Sequence, residues 1–265
     1  GGCAGNIAYN LNLLGGKPLP MATVGQDFES YREHFEHCGI PLTHVKVVPE
    51  LYTAQAFITT DLDDNQITAF HPGAMMRSYE NHVRDVPDVG FGIVGPDSYE
   101  AMLQNCREFS ESDIPFIFDP GQAMPLFNGD ELKQMIEQAT YVTVNDYESL
   151  LMSDKTGLST AEISSRVQGY IITRGDKGSE IHTASGILQI PAANAIRVVD
   201  PTGCGDAYRA GLIFGLMKGM DMATAGRIAS LMGALKIEHL GPQNQRFSYA
   251  QFAMQFKQQF GYALD

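Results

Sequence analysis

The sequence predicts an α/β protein built on a doubly wound, mostly parallel sheet, with a small antiparallel β lid. Three observations lead there. Short apolar runs at Phe91 to Gly95, Phe116 to Asp119, Tyr141 to Asn145 and Tyr170 to Arg174 alternate with amphipathic stretches beginning near Asp97, Gly129, Asp146 and Thr160. That rhythm belongs to parallel strands buried between helix layers. Between Val45 and Phe70 the pattern changes to β alternation, in VKVV, TAQAFITT and QITAF. Finally, three of the apolar runs end in polar clusters: Asp119-Pro-Gly-Gln122, Asn145-Asp-Tyr-Glu148 and Thr173 to Gly178. Ligands of such sheets bind beyond the carboxyl ends of the strands.

Taken in order, Cys3 to Leu14 carries apolar residues at helical spacing and stops at Gly15-Gly16, a C-cap signal. A second helix is expected from Asp27 to His37, ending at Gly39. In the β segment, Asp61 to Asn65 forms the tip of a hairpin. Two strands cannot bury both faces within themselves, so this lid should pack on a ligand site, a partner subunit, or both. After the strand–helix region come a hairpin, EIHTA/ILQIP, and three helices near Gly205, Met222 and Ser248. Residues 1–44 and 77–265 are thus read as one α/β domain and 45–76 as the lid.

The 265 residues carry a formal net charge of −13 with no offsetting Lys/Arg block. Nucleic acid and anionic membrane are therefore not expected as partners. A small anionic ligand is still compatible, because backbone amides and Mg²⁺ overcome an unfavourable overall field locally. Four cysteines without a CxxC pair, no signal peptide and no long apolar run fit a reduced, cytoplasmic protein. Gly90 to Gly95 matches G-x-G-x-x-G but lies within a strand, which argues against a dinucleotide site. His34, His37 and Cys38 lack a fourth ligand at useful spacing and read as a helix face. Asp61, Asp63 and Asp64 lack the distal Glu of a calcium loop.

The stretch richest in chemistry is Val199 to Gly211, VDPTGCGDAYRAG. Gly203, Cys204 and Gly205 would present consecutive N–H groups at the start of an apolar helix, where the dipole favours negative charge. Asp206 is expected at the first helical position, facing the same concavity. A carboxylate beside an anion cradle is poor for merely holding phosphate. It makes sense if it takes a proton from a hydroxyl attacking that phosphate, while the N–H groups stabilise the transferring group. A simple N-cap Asp after a glycine turn is the competing reading, and a small apolar spacer rather than a reactive thiol is the reading of Cys204.

Asp200 to Asp206 resembles the C-terminal D-T-x-G-x-G-D signature of the ribokinase/PfkB kinases, with Pro201 placed as in adenosine kinases. Gly1-Gly2-Cys-Ala-Gly-Asn6 resembles the N-terminal G-G-x-x-x-N signature, Asn145 and Glu148 match N-x-x-E, and ITRGDKG resembles T-x-G-x-x-G. The resemblance implies ATP and Mg²⁺ as cofactors, Asp206 as general base and Gly203 to Gly205 as anion hole. It further implies that Glu148, with Asn145, arranges Mg²⁺ and its water. Thr173, Gly175, Gly178 and Gly233 would border ATP, and Gly2 and Asn6 would contact ribose-like hydroxyls of the acceptor. The lid would close over the acceptor and support a homodimer. Relatives also carry a first strand before the GG motif; this sequence opens on Gly1-Gly2 without Met, so upstream sequence is expected to be missing.

ITAFHPGAM, VGPDSYEAM, FDPGQ, VNDYESLL and GDAYRAG are most like bacterial adenosine kinases. That implies transfer to the 5′-hydroxyl of adenosine. Phe70 and Gln122 could stack on and hydrogen-bond a purine, although a lid-core aromatic and a turn residue are the plainer readings. A free sugar or another nucleoside, such as ribose, fructose or inosine, stays open as acceptor, as does a non-catalytic nucleotide-binding role.

Overall fold

The computed structural model describes residues 2–60 and 66–264. The expected hairpin tip at Asp61 to Asn65 lies outside them. The chain opens with α1 (Cys3–Leu13), β1 (Ala22–Val24), α2 (Glu29–His37) and β2 (Val45–Val47), then the hairpin β3 (Gln55–Thr60) and β4 (Gln66–His71). A 3₁₀ helix, Gly73–Glu80, leads away from it. There follow β5 (Gly92–Val94), α3 (Tyr99–Glu111), β6 (Phe116–Phe118), α4 (Gly129–Gln138), β7 (Tyr141–Asn145), α5 (Asp146–Thr156), α6 (Thr160–Ser164) and β8 (Gly169–Thr173). The hairpin β9 (Ser179–Thr183) and β10 (Gly186–Ile190) precedes α7 (Cys204–Met217), α8 (Met222–Ile237) and α9 (Tyr249–Phe260).

The main sheet has the order β10-β9-β8-β7-β6-β5. Strands β5 to β8 are parallel and β9 and β10 antiparallel. Period-2 alternation sorts its side chains into two cores. Phe116, Phe118, Val142, Val144, Tyr170 and Ile172 pack with α3 to α6. Ile117, Ile171 and Ile181 point the other way, into α1, α7, α8 and α9. Helices thus cover both faces of an α/β sheet, as expected. Because the parallel strands follow one another in chain order, their crossovers share one face. The other face is closed by α1 and the last three helices.

One strand assignment is corrected. VKVV does not join the antiparallel lid: β2 pairs in parallel with β1, Ala22 opposite Val45. The sequence reading passed over Ala22–Val24, since three residues show no period. The antiparallel part of the expected lid is the β3–β4 pair, with Ala56 opposite Phe70 and Phe57 opposite Ala69. Its base is clamped by Asp27, which accepts from the Thr53 N–H at 2.7 Å and from Gln55 Nε2 at 3.0 Å.

Candidate active site

The site is built where α7 starts. Gly203 is the N-cap residue, with φ 81°, a conformation that costs glycine nothing. A Cβ there would sit 2.7 Å from the Pro242 Cβ. Gly205 is constrained differently: an added Cβ would lie 2.7 Å from Arg209 Nη1, so the missing side chain makes room for a guanidinium. With Gly203 as N-cap, Asp206 is the third helical residue rather than the first. The Cys204 N–H is already given to the Pro201 carbonyl at 3.1 Å. Of the three N–H groups expected to form an anion hole, that one is therefore spent on the turn. The N–H groups of Gly203 and Gly205 make no intramolecular hydrogen bond among the described residues.

Asp206 is held from several sides. Asn6 Nδ2 donates to Asp206 Oδ2 at 2.7 Å. The Asn6 amide oxygen accepts from Gln243 Nε2 at 2.8 Å, and the same nitrogen lies 2.7 Å from the Tyr31 hydroxyl. His34 Nε2 closes the chain on Gln243 Oε1 at 2.8 Å. Burial pushes the Asp206 carboxyl above its ordinary range, while the Asn6 hydrogen bond and the Arg209 charge pull it back. The Cys3 thiol, against the same carboxylate, is pushed up to about 12, mainly by burial. A raised carboxyl pKa makes the ionised group a stronger proton acceptor, the direction that suits a general base.

Arg209 lies one turn further along α7 and is the principal residue the sequence reading missed. Its Nη2 donates to Asp119 Oδ1 at 2.7 Å, and its Nε faces the other carboxylate oxygen. Asp119, at the carboxyl end of β6, is 2% exposed. Burial acts to lower the Arg209 pKa, but Asp119, Asp206 and Glu148 outweigh it and raise it. The signal was available: a single arginine inside AYRAGLIFGLM buries only with a partner.

On the neighbouring strand, Asn145 and Glu148 form a capping box: Asn145 Oδ1 takes the Glu148 N–H and Glu148 Oε2 takes the Asn145 N–H, both at 2.8 Å. Burial raises the Glu148 carboxyl, with Asp119 adding to the rise. Thr173 stands opposite Asn145 in the sheet register, so these two meet as expected. Gly175 and Gly178 frame the turn beyond it, both at positive φ. Gly233 lies behind the glycine turn, where an added Cβ would be 3.7 Å from the Cys204 carbonyl oxygen.

The expected acceptor residues divide. Gly2 is exposed at the N-cap of α1. Asn6 is buried, and its amide is engaged by Asp206 and Gln243. Phe70 is 54% exposed on β4, and Gln122 is exposed in the 3₁₀ turn after β6. Burial pushes the Cys204 thiol up to about 11, which suits a spacer better than a nucleophile. Likewise His34 and His37 are engaged by Gln243 and by the Glu33 carbonyl. No group of three or more His, Cys, Asp or Glu side chains suited to a metal occurs among the described residues.

Mg²⁺ commonly needs only one or two carboxylates, taking its remaining ligands from water and substrate phosphates. Glu148, half-buried with Oε2 committed to the capping box, fits that role, and the excess of Asp119, Asp206 and Glu148 over Arg209 calls for added positive charge.

A three-layer α/β fold with a carboxylate beside a glycine turn at a helix start is the arrangement of a ribokinase-like phosphotransferase acting on a hydroxyl. The chain belongs to the pfkB family of carbohydrate kinases, whose pattern it matches over residues 1–247. It is 30% identical over 249 residues to a nucleoside kinase of Methanocaldococcus jannaschii, covering 92% of this chain and 80% of the relative. A Burkholderia thailandensis nucleoside kinase solved in complex with inosine is 55% identical and superposes with a TM-score of 0.97, over 100% of this chain and 88% of the other. The same enzyme has been solved with ADP-inosine, at a TM-score of 0.96. A Thermotoga maritima ribokinase shares the fold at 22% identity and a TM-score of 0.77, over 97% and 87% of the two chains.

Proposed function

We propose that this protein transfers the γ-phosphoryl group of ATP to the 5′-hydroxyl of a purine nucleoside, adenosine or inosine. The observation that carries the reading is the part-buried Asp206 carboxylate, oriented by Asn6, beside the Gly203 and Gly205 N–H groups, which have no partner among the described residues. The similarity to a nucleoside kinase solved with inosine and with ADP-inosine supports a nucleoside over a free sugar. It also gives inosine equal standing with adenosine, which the sequence motifs alone had favoured.

In this mechanism Asp206 accepts the proton of the attacking hydroxyl as its oxygen bonds to the γ-phosphorus and the bond to the β-phosphate oxygen breaks, releasing ADP. The Gly203 and Gly205 N–H groups and the α7 dipole meet the charge on the transferring group. Mg²⁺ arriving with ATP would neutralise phosphate charge, with Glu148 holding it through water. Arg209 is placed to pair with Asp119 and to set the field that Asp206 and Glu148 share. Asn6 orients the base through one amide hydrogen, and its second is left for the acceptor.

The test is ADP release with Mg-ATP and, separately, adenosine, inosine, ribose and fructose. Turnover with either nucleoside and little with the sugars is expected. Turnover with a sugar alone would overturn the acceptor reading while leaving the phosphotransfer chemistry in place.

A further inference from the structure

Lysine is rarely fully buried unless paired, yet Lys236, in the last turn of α8, is 0% exposed. Its Nζ donates to the Asp200 carbonyl oxygen at 2.6 Å and to the His239 carbonyl oxygen at 3.1 Å. These acceptors belong to two segments that meet at this lysine. Asp200 opens the turn that ends at Gly203, and His239 lies just beyond α8. The Asp200 carboxylate takes the N–H groups of Thr202 at 2.8 Å and Gly241 at 2.7 Å. The Val199 and Asp200 N–H groups both reach the Ile237 carbonyl, at 2.8 and 3.2 Å. Those amide hydrogen bonds hold the Asp200 carboxyl at about 2, with the Lys236 charge adding to them.

A cation near a helix C-terminus gains from the dipole whether or not it is buried. Burying an ammonium costs a good deal unless its charge and N–H groups are matched. Here two carbonyl oxygens and a neighbouring carboxylate supply the match. An apolar side chain would fill the same space but take the Lys236 N–H from both carbonyls, leaving Asp200 only the Cys204 thiol at 3.9 Å. What the charge adds is a fixed geometry between α8 and the 200–204 turn.

We propose that Lys236 is a positioning residue for phosphoryl transfer, a built-in cation that sets the 200–204 turn and through it the Gly203 and Gly205 N–H groups. It touches no substrate. The inference rests on reading that turn as the anion hole. Donors aimed at developing charge accelerate a reaction only when they are already in place, so releasing the seam should cost turnover more than binding.

The experiment compares wild type, Lys236→Ala, Lys236→Met and Asp206→Asn with Mg-ATP and the nucleoside that turns over. Each is assayed in tetramethylammonium chloride with and without ammonium or potassium chloride, alongside thermal melting. Lys236→Ala and Lys236→Met are expected to lose about 10²-fold in kcat, the scale of a displaced anion-hole donor, with acceptor KM nearly unchanged. Ammonium or potassium should restore about tenfold to Lys236→Ala by filling the vacated position, and nothing to Lys236→Met, whose side chain occludes it. The same salts should leave wild type within about twofold, because its cation is internal. Wild-type kcat in both lysine variants would overturn the proposal. So would a folded Lys236→Ala that no small cation restores, or a wild type dependent on added monovalent cation. If Lys236→Ala fails to fold, the Met variant and the wild-type salt series decide. Full turnover in Asp206→Asn would overturn the anion-hole reading beneath the inference, whereas an inactive Asp206→Asn beside unaffected lysine variants would sink this inference alone.

Discussion

The start of α7 and the β3–β4 hairpin treat their side chains in opposite ways. Around Asp206, polar groups from distant parts of the chain are matched to one another: Asn6 to Asp206, Gln243 to Asn6, Arg209 to Asp119 and Lys236 to two carbonyls. In the hairpin the apolar groups are left out. Phe57, Ile58, Ile67 and Phe70 are all more than half exposed. The register puts Ile58 and Phe70 on one face and Phe57 and Ile67 on the other. A buried polar network settles into one arrangement, since each unmatched group is penalised. A two-stranded ribbon with apolar residues on both faces needs something else to cover it. The polar groups at the start of α7 are closed on one another, whereas the hairpin leaves apolar side chains uncovered on both faces.

The largest effect should come from the start of α7. Asp206→Asn is expected to lower kcat by about 10²–10⁴, the usual contribution of a general base, while nucleotide affinity measured by calorimetry stays near wild type. An unchanged kcat would remove Asp206 from the chemistry. Next is the buried pair. Arg209→Ala strands Asp119 in the core and should cost about 3–5 kcal/mol in urea unfolding. A loss below about 1 kcal/mol would mean that water reaches Asp119.

The lid should answer through binding instead. Phe70→Ala is expected to raise the nucleoside KM by about tenfold at most, the scale of one aromatic contact, with kcat little changed. Phe57→Ala, on the opposite face, should leave KM alone. Equal KM changes in both would show that the two faces do not divide the work as the register implies.

The smallest effect concerns pH. Burial raises the folded-state pKa of Asp206, so the acid limb of kcat should fall above the ordinary carboxylate range. A raised pKa also fixes the sign for stability. The favourable contribution is complete below the unfolded value, about 3.9, and is lost as pH rises through the folded value. Asp206→Asn should therefore melt slightly above wild type at neutral pH, and the difference should close near pH ~3, where both side chains are neutral. A variant that melts lower at neutral pH would show that the ionised carboxylate is stabilised by Asn6 and Arg209 more than burial penalises it.

Much of this organisation was legible in the sequence. Strands and helices write their own periods into local sequence, and the alternation from Phe91 onward gave four strands and their intervening helices close to their observed places. The glycines around Cys204 announced a helix-start turn, and Asn145 and Glu148 stood out as an N-x-x-E pair, although the capping box they form was not read from it. The misses were of another kind. Ala22–Val24 is too short to carry a period, so its parallel pairing with Val45–Val47 went unread. Asp206 was placed two positions too early in its helix, because the turn uses Gly203 as N-cap and spends the Cys204 N–H within itself. Asn6 was assigned to the acceptor, and its amide also pairs with residues 200 and 237 positions away, which no local pattern announced.

By itself, then, the sequence determined the order of the elements from β5 onward, the α/β class and the residue types gathered at the strand ends. These depend on local spacing and on chemistry that each segment carries alone. Only the tertiary structure decided which polar groups meet. Arg209 with Asp119, Asn6 with Asp206 and Lys236 with Asp200 are separated by 90, 200 and 36 residues. A buried charge does state that it needs a partner. Which partner it finds is fixed by how the helices cross the sheet, and no local pattern encodes that.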